Sequence, residues 1–294
     1  TTDKVLPDEN RMINGFTDYE ELTRTRRLIM RSYKLPGNRL RLLHPNENRG
    51  AVTIDEERDY HFRYVLEDNF GNRRTYQFIV KGKRQDIPEY KPEANEMLYW
   101  NRTNVIQKPG MELVVPRYYV YEDVPLRTDM RGDSSHIAFD YILDAGRTPI
   151  HSYCDLSIGL RHMPVADTTK YYIVQKAGKW RSSMGGKYAN GWIKTRVRSL
   201  GTFSVDVDTI APQITPIGQG GWRTSRNIRF RIKDMESGIG SYKVYIDGKF
   251  VLFGLKKGIL VIQDPEKVKK GVPHKLEVTV TDQCGNMARK EYKF

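Results

Sequence analysis

Two stretches, far apart in this chain, carry the same local instruction. His61-Phe-Arg-Tyr-Val-Leu-Glu-Asp68-Asn-Phe-Gly71-Asn72 leads into Tyr76, Phe78 and Val80, and His274-Lys-Leu-Glu-Val-Thr-Val-Thr-Asp282-Gln-Cys-Gly285-Asn286 leads into Tyr292 and Phe294. Each is a period-two run, then Asp-x-x-Gly-Asn, then a second run. Period two places alternate side chains on opposite faces of a strand. The Asp carboxylate accepts bonds from turn amides, and Gly or Asn takes the positive φ where the turn closes. The repeat therefore predicts two antiparallel hairpins and marks two domain ends, near Gly82 and at Phe294.

The rest of the chain follows the same rule. Ile228, Phe230 and Ile232 alternate with Arg229, Arg231 and Lys233, and Tyr242, Val244 and Ile246 alternate with Lys243 and Tyr245. Asp247-Gly248 is a type I′ hairpin signal, and Asn190-Gly191 and Gly185-Gly186 mark further turns. Only Asp264–Lys270 reads as a short helix, with Asp264 as cap and Pro265 at its first position. The expected fold class is all-β, with three tandem β-sandwich modules. The Asp-x-x-Gly-Asn endings resemble those of bacterial immunoglobulin-like modules, which makes the first and last modules immunoglobulin-like. The expected boundaries are a first module over 1–84, lacking its first strands; a polar, proline-containing linker over 85–94; a middle β-sandwich over 95–207; and a last module over 208–294, opening at Asp208-Thr-Ile-Ala-Pro212.

Composition narrows the function. Of 294 residues, 38% are hydrophobic and 29% charged, the balance of a folded soluble chain. No apolar run approaches the ~20 residues of a membrane helix. Thr1-Thr-Asp-Lys4 does not open a signal peptide, so the chain is expected to be either cytosolic or already processed. Two distant cysteines, Cys154 and Cys284, exclude a disulfide scaffold and a Cys-x-x-Cys zinc site. The net charge of +13 favours anionic partners. It is uneven: residues 210–294 hold 16 basic against 8 acidic side chains, residues 1–84 hold 17 against 13, and residues 85–209 hold 16 against 15. Nucleic acid is not expected as a partner. Zinc-finger spacing, helix-turn-helix pattern and RNA-recognition signature are all missing from the sequence.

Asn14-Gly-Phe-Thr-Asp18-Tyr-Glu-Glu, Arg26-Arg-Leu-Ile-Met-Arg31-Ser, Gly185-Gly-Lys-Tyr-Ala-Asn190-Gly191-Trp192, Thr195-Arg-Val-Arg-Ser199-Leu-Gly201-Thr-Phe-Ser-Val-Asp206 and Asp208-Thr-Ile-Ala-Pro212 occur in that order. Ser237-Gly-Ile239, Tyr245-Ile-Asp247-Gly-Lys249 and the closing Asp282-Gln-Cys-Gly-Asn286 continue it. Together they resemble the β-sandwich region of lysostaphin-type zinc metalloendopeptidases of Gram-negative bacteria. The resemblance implies a non-catalytic accessory region that positions or restrains a peptidase domain lying outside this chain, in the periplasm or cell envelope. Zinc is expected only in that absent domain, and no cofactor in this chain. The family's His-x-His pair is missing. His136-Ile-Ala-Phe-Asp140 and His151-Ser-Tyr-Cys-Asp155 match His-x-x-x-Asp, but on a strand i and i+4 lie ~13 Å apart, too far to share one zinc. The alternative is a free-standing envelope adhesion module or a subunit of an envelope complex. A metalloenzyme using His136 or His151 is a third, weaker class.

The candidate binding residues are basic. Arg24, Arg26 and Arg27 form the densest cluster, beside Glu20 and Glu21, which could pair with them instead. Arg229, Arg231 and Lys233 are expected on one face of a sheet. Both groups would meet anionic envelope polymer, peptidoglycan included. Asp234-Met-Glu-Ser-Gly238 offers the better calcium candidate, while the Asp-x-x-Gly-Asn turns fall short of the six to eight oxygen ligands calcium takes. Arg131-Gly132-Asp133 matches an integrin tripeptide and is equally explained by a turn.

Overall fold

The computed structural model describes residues 7–86, 88, 93–144 and 148–294. The protein is all-β, 44% strand and 9% helix, with several separate sheets. It divides into two compact units, Thr1–Glu93 and Ala94–Phe294. Of the 85–94 linker, residues 87 and 89–92 lie outside the described residues.

In the first unit the repeat forms its hairpin. Strands β1 (Asp59–Glu67) and β2 (Arg73–Lys81) pair in register from Asp59↔Lys81 to Glu67↔Arg73. Asp68 Oδ1 accepts Phe70 N at 2.8 Å and Asn72 N at 3.0 Å, and Gly71 adopts φ 80°. Among the described residues this two-stranded sheet is the unit's whole strand content, so the sandwich expected over 1–84 is present only as its closing hairpin. Helix replaces strand before it. Chain 7–25 forms α1 (Pro7–Asn10), a 3-10 turn (Arg11–Phe16) and α2 (Tyr19–Thr25). Asp18 caps α2 by accepting Glu21 N at 3.0 Å, and Arg26 ends it at φ 63°. The alternation rule missed α2 because the polar cap, not an apolar stripe, starts it.

The second unit holds two sandwiches. The first comprises β3 (Glu96–Leu98), β4 (Asn104–Lys108), β5 (Met111–Val115), β6 (Val124–Arg131), β7 (Asp140–Asp144), β8 (Cys154–Gly159), β9 (Tyr171–Ala177), β10 (Trp180–Ser183), β11 (Lys187–Ala189), β12 (Trp192–Val197) and β13 (Gly201–Val207). One sheet runs β10-β9-β13-β7-β6-β3, the other β11-β12-β8-β5-β4. Leu113, Leu126, Leu156, Ile158, Ile173 and Phe203 are buried in one cluster with side chains of both sheets. Each fully buried side chain of this kind favours folding by ~1.5–3 kcal/mol. Asn190 (φ 50°) and Gly191 (φ 85°) make the tight turn between β11 and β12 that the sequence predicts.

The last sandwich comprises β14 (Gln213–Ile217), α3 (Trp222–Ser225), β15 (Arg229–Lys233), β16 (Ile239–Ile246), β17 (Lys249–Phe250), β18 (Phe253–Lys256), β19 (Ile259–Ile262), β20 (Lys275–Asp282) and β21 (Met287–Lys293). Its sheets are β14-β15-β19-β18 and β17-β16-β20-β21. The alternation sets its core: Ile228, Phe230, Ile232, Leu276, Val278 and Val280 are all buried. The helix predicted over 264–270 is only a 3-10 turn, Pro265–Lys267. The Asp264 carboxylate does not cap it but takes Lys267 Nζ at 2.6 Å instead.

Candidate functional site

Three carboxylates meet where the two sandwiches join. Asp208 directly follows β13, Asp234 directly follows β15, and Asp282 closes β20, and their oxygens lie within 4.8 Å of one another. Asp208 and Asp282 are buried. Each acid is held by donors. Asp208 Oδ1 accepts Ile210 N at 2.9 Å, and its Oδ2 accepts Ser237 N at 3.0 Å and the Ser237 hydroxyl. Asp234 Oδ1 takes Gly238 N at 2.7 Å and Glu236 N at 3.0 Å. Asp282 Oδ1 takes Cys284 N and Asn286 N at 2.9 and 2.8 Å, the pattern of Asp68 in the first hairpin. Burial raises the Asp282 carboxyl above its ordinary value of 3.8, outweighing those bonds. Oxygen-only donors suit a hard cation such as calcium, but three carboxylates are fewer than the six to eight ligands it takes. The bonds already made account for the burial.

The same junction ties the sandwiches together. Asp208 N donates to Lys170 O at 2.9 Å, Lys170 Nζ to Cys284 O at 3.0 Å, and Asn286 Nδ2 to Asp208 O at 3.0 Å. Tyr172 and Val174 of β9 pack on Cys284. Sequence reasoning treated Asp234 and Asp282 separately and assigned Asp208 only a boundary role. The signal was the coincidence of the Asp208-Thr-Ile-Ala-Pro opening with the Asp-x-x-Gly-Asn ending in one module.

The basic residues separate into two kinds. Arg24 is engaged by Glu21 of its own helix, through Nε at 3.1 Å and through Nη2, and Arg26 and Arg27 are exposed at the helix end. Arg231 and Lys233 are exposed on one face of β15, opposite buried Phe230 and Ile232. Arg229 shares that face, half-buried, and its Nε has no acceptor among the described residues.

The two His-x-x-x-Asp matches are not strands along their length. His136 lies in the β6–β7 loop and faces Asp133 at 2.9 Å, while Asp140 starts β7 and pairs with Lys176 at 2.6 Å. His151 precedes β8 and meets the Tyr121 hydroxyl at 3.0 Å. Neither histidine joins a third metal-ligating side chain among the described residues. Arg131 ends β6, and Gly132-Asp133 leads into a turn: Asp133 Oδ1 accepts the Ser135 hydroxyl at 2.6 Å and Ser135 N at 2.8 Å, and these bonds, with the contact to His136, hold its carboxyl down at about 2.

His274 is a further ionisable group, buried beside β20. Its Nδ1 faces Asp247 Oδ2 at 2.6 Å and its Nε2 the Lys269 carbonyl at 2.8 Å. Two acceptors call for two N–H donors, so the imidazolium fits. Burial works against the charge, but the Asp247 and Lys269 bonds outweigh it and raise the pKa above 6.5, while His274 lowers Asp247 below 3.8. The histidine's stabilisation is full below 6.5 and lost as pH rises through its raised pKa; the aspartate's is full above 3.8 and lost as pH falls. The last sandwich should thus be most stable between those limits. Unfolding midpoints measured across pH for the wild type and His274→Ala should converge on the alkaline side; a constant gap would reject the pairing.

Both thiols are buried, and burial pushes Cys154 up to about 12 and Cys284 up to about 11. Alkylation of the native chain should be on the order of 100-fold slower than of the unfolded chain, because the thiolate is the nucleophile. Equal rates under native and denaturing conditions would show the thiols to be open.

Residues 95–208 match the Zu5-like domain family, which covers less than half of the chain. No curated protein matches. Among solved structures, similarity extends to a Ca2+-stabilized adhesin that helps an Antarctic bacterium bind ice, at 10% identity over 80% of each chain with a TM-score of 0.20. It extends also to the Spr0440 glycoside hydrolase domain, Endo-D, of Streptococcus pneumoniae R6, at 12% identity over 61% of this chain and 38% of that one, with a TM-score of 0.21. At those scores neither bears on function. Fold and junction define a class: an all-β modular protein whose last two sandwiches are bonded into one unit.

Proposed function

We propose that this chain is a non-catalytic accessory region of a cell-envelope peptidoglycan metalloendopeptidase, acting to position or restrain a catalytic domain outside the chain. The supporting observation is the junction. Bonds from Lys170, Asp208 and Asn286, with the Tyr172–Val174–Cys284 contact, make two sandwiches a stiff spacer, which is what positioning needs. The ordered run of segments from Asn14 to Asn286 that resembles the lysostaphin-type family supports the parentage.

The second reading is a free-standing adhesion module. It is favoured by the first hairpin, where Phe62, Tyr64, Tyr76 and Phe78 share one face in parallel or tilted ring contact and Tyr64 and Tyr76 are exposed. The test is reconstitution. Purified chain is mixed with a lysostaphin-type catalytic domain and sacculi, and muropeptide release is followed. A changed release rate, with none from the chain alone, is expected. An unchanged rate, or release by the chain alone, would overturn the accessory reading.

A further inference from the structure

Charge in the last sandwich is sorted by sheet. Its strand acids lie on β17-β16-β20-β21, where Glu277 and Glu291 pair with Lys275 and Arg289, with Asp247 beside it on His274; the acids near the opposite sheet lie in turns, Asp234 and Glu236 after β15 and Asp264, paired with Lys267, after β19. The strands of the opposite sheet, β14-β15-β19-β18, carry Arg229, Arg231, Lys233 and Lys256, with Lys257 in the turn between β18 and β19, and no acid. None of the five makes an ion pair among the described residues.

Register fixes how they lie. Arg231 is flanked across the sheet by Thr215 and Ile259, and Ile259 by Lys256; Arg229 is flanked by Ile217 and Val261. The outer face is therefore cations set among half-buried aliphatic side chains, at spacings of ~7 Å along a strand and ~5 Å between strands. At its edge, where β17 of the other sheet hands over to β18, Leu252 (50%) is exposed on the same strand face as Lys256, Leu255 (43%) is exposed on the opposite strand face, and Phe250 (59%) stands on β17 against Tyr245, between Lys249 and the crossing to β18. Val251 and Phe253 fill the core from the same segment, so the exposed three are in excess of what the sandwich buries.

We propose that this face and edge dock on an anionic lipid bilayer surface. The cations meet headgroup phosphates while Phe250, Leu252 and Leu255 enter the interface between headgroups and acyl chains. A soluble polyanion would use the cations but leave the three apolar side chains in water; a bilayer uses both. The inference depends on the last sandwich alone and not on peptidase parentage, so its failure and that of the accessory role are separable.

The test uses the full chain in flotation assays with phosphatidylcholine vesicles, with and without phosphatidylglycerol. Binding is expected only with phosphatidylglycerol, weakening as salt rises. Arg231→Glu/Lys233→Glu/Lys256→Glu should bind about 100-fold more weakly, at roughly fivefold per cation. Phe250→Ser/Leu252→Ser should bind ~10-fold more weakly while keeping the salt dependence. All five side chains are exposed, so unfolding midpoints should match the wild type. Binding to neutral vesicles alone, or undiminished binding by the charge variant, would overturn the proposal. So would undiminished vesicle binding by the apolar variant, or tighter binding to inorganic polyphosphate or purified sacculi than to phosphatidylglycerol vesicles.

Discussion

Trp222→Ala should destabilise the last sandwich by about 3–5 kcal/mol, the range for deleting a large buried aromatic. The ring is fully buried and touches Phe230, Tyr292 and Phe294, with centroids 5.0, 5.9 and 5.7 Å away. Those partners come from β15, β21 and the chain end, so one side chain closes the core between both sheets. Nε1 also donates to Ile217 O at 2.9 Å, a bond the variant loses. Trp222→Phe would keep a ring in the cluster and lose chiefly the bond, at ~1 kcal/mol. Urea unfolding followed by circular dichroism distinguishes the two. A loss below ~1 kcal/mol for Trp222→Ala would mean that the surrounding side chains collapse into the space.

Trp222 also shows where sequence reading stops. Ile228, Phe230 and Ile232, and Leu276, Val278 and Val280, were legible because strand period and burial coincide. The Asp247-Gly248 turn was legible too, with φ 50° and 76° observed. Trp222 sits outside any alternation. Gly218 at φ 66° turns the chain into a 3-10 turn and the one-turn helix α3, which swings the ring inward. Nothing periodic announces such a route. The first unit failed in the same way: α2 depends on one capping bond from Asp18, a contact of three residues' span that an alternation count cannot register.

Of the candidate site, the cations of β15 were legible as one face, since period two alone puts Arg229, Arg231 and Lys233 together. The edge apolars were not. Alternation resumed after the Asp247-Gly248 turn puts Phe250 and Leu252 on the apolar face, but Lys249–Lys257 changes sheets between β17 and β18, so Val251 and Phe253 turn inward and Phe250 and Leu252 outward. The acidic junction needed three dimensions for a different reason. Asp208, Asp234 and Asp282 come from three separate turns, and only the closing of both sheets brings them within 4.8 Å.

Asp208→Ala should cost about 3 kcal/mol or more and also change how unfolding proceeds. The carboxylate is fully buried and satisfies Ser237 N, the Ser237 hydroxyl and Ile210 N. Removing it leaves Ser237, itself fully buried, with two donors unpaired, at ~1–3 kcal/mol for each. Relief of the carboxylate's repulsion with Asp282 works in the opposite direction and keeps the net below the sum. The residue is also the link between the sandwiches, through Asp208 N to Lys170 O and Asn286 Nδ2 to Asp208 O. Those two bonds use backbone atoms and survive the substitution only while the Ser237 loop holds the chain in place. The expected result is therefore an unfolding curve in which the last sandwich melts before the middle one, where the wild type shows the two together. Asp208→Asn, which keeps an acceptor for Ser237, should recover much of the loss. Wild-type stability in Asp208→Ala, with a single transition, would show that the junction is held by the Tyr172–Val174–Cys284 packing and not by the carboxylate.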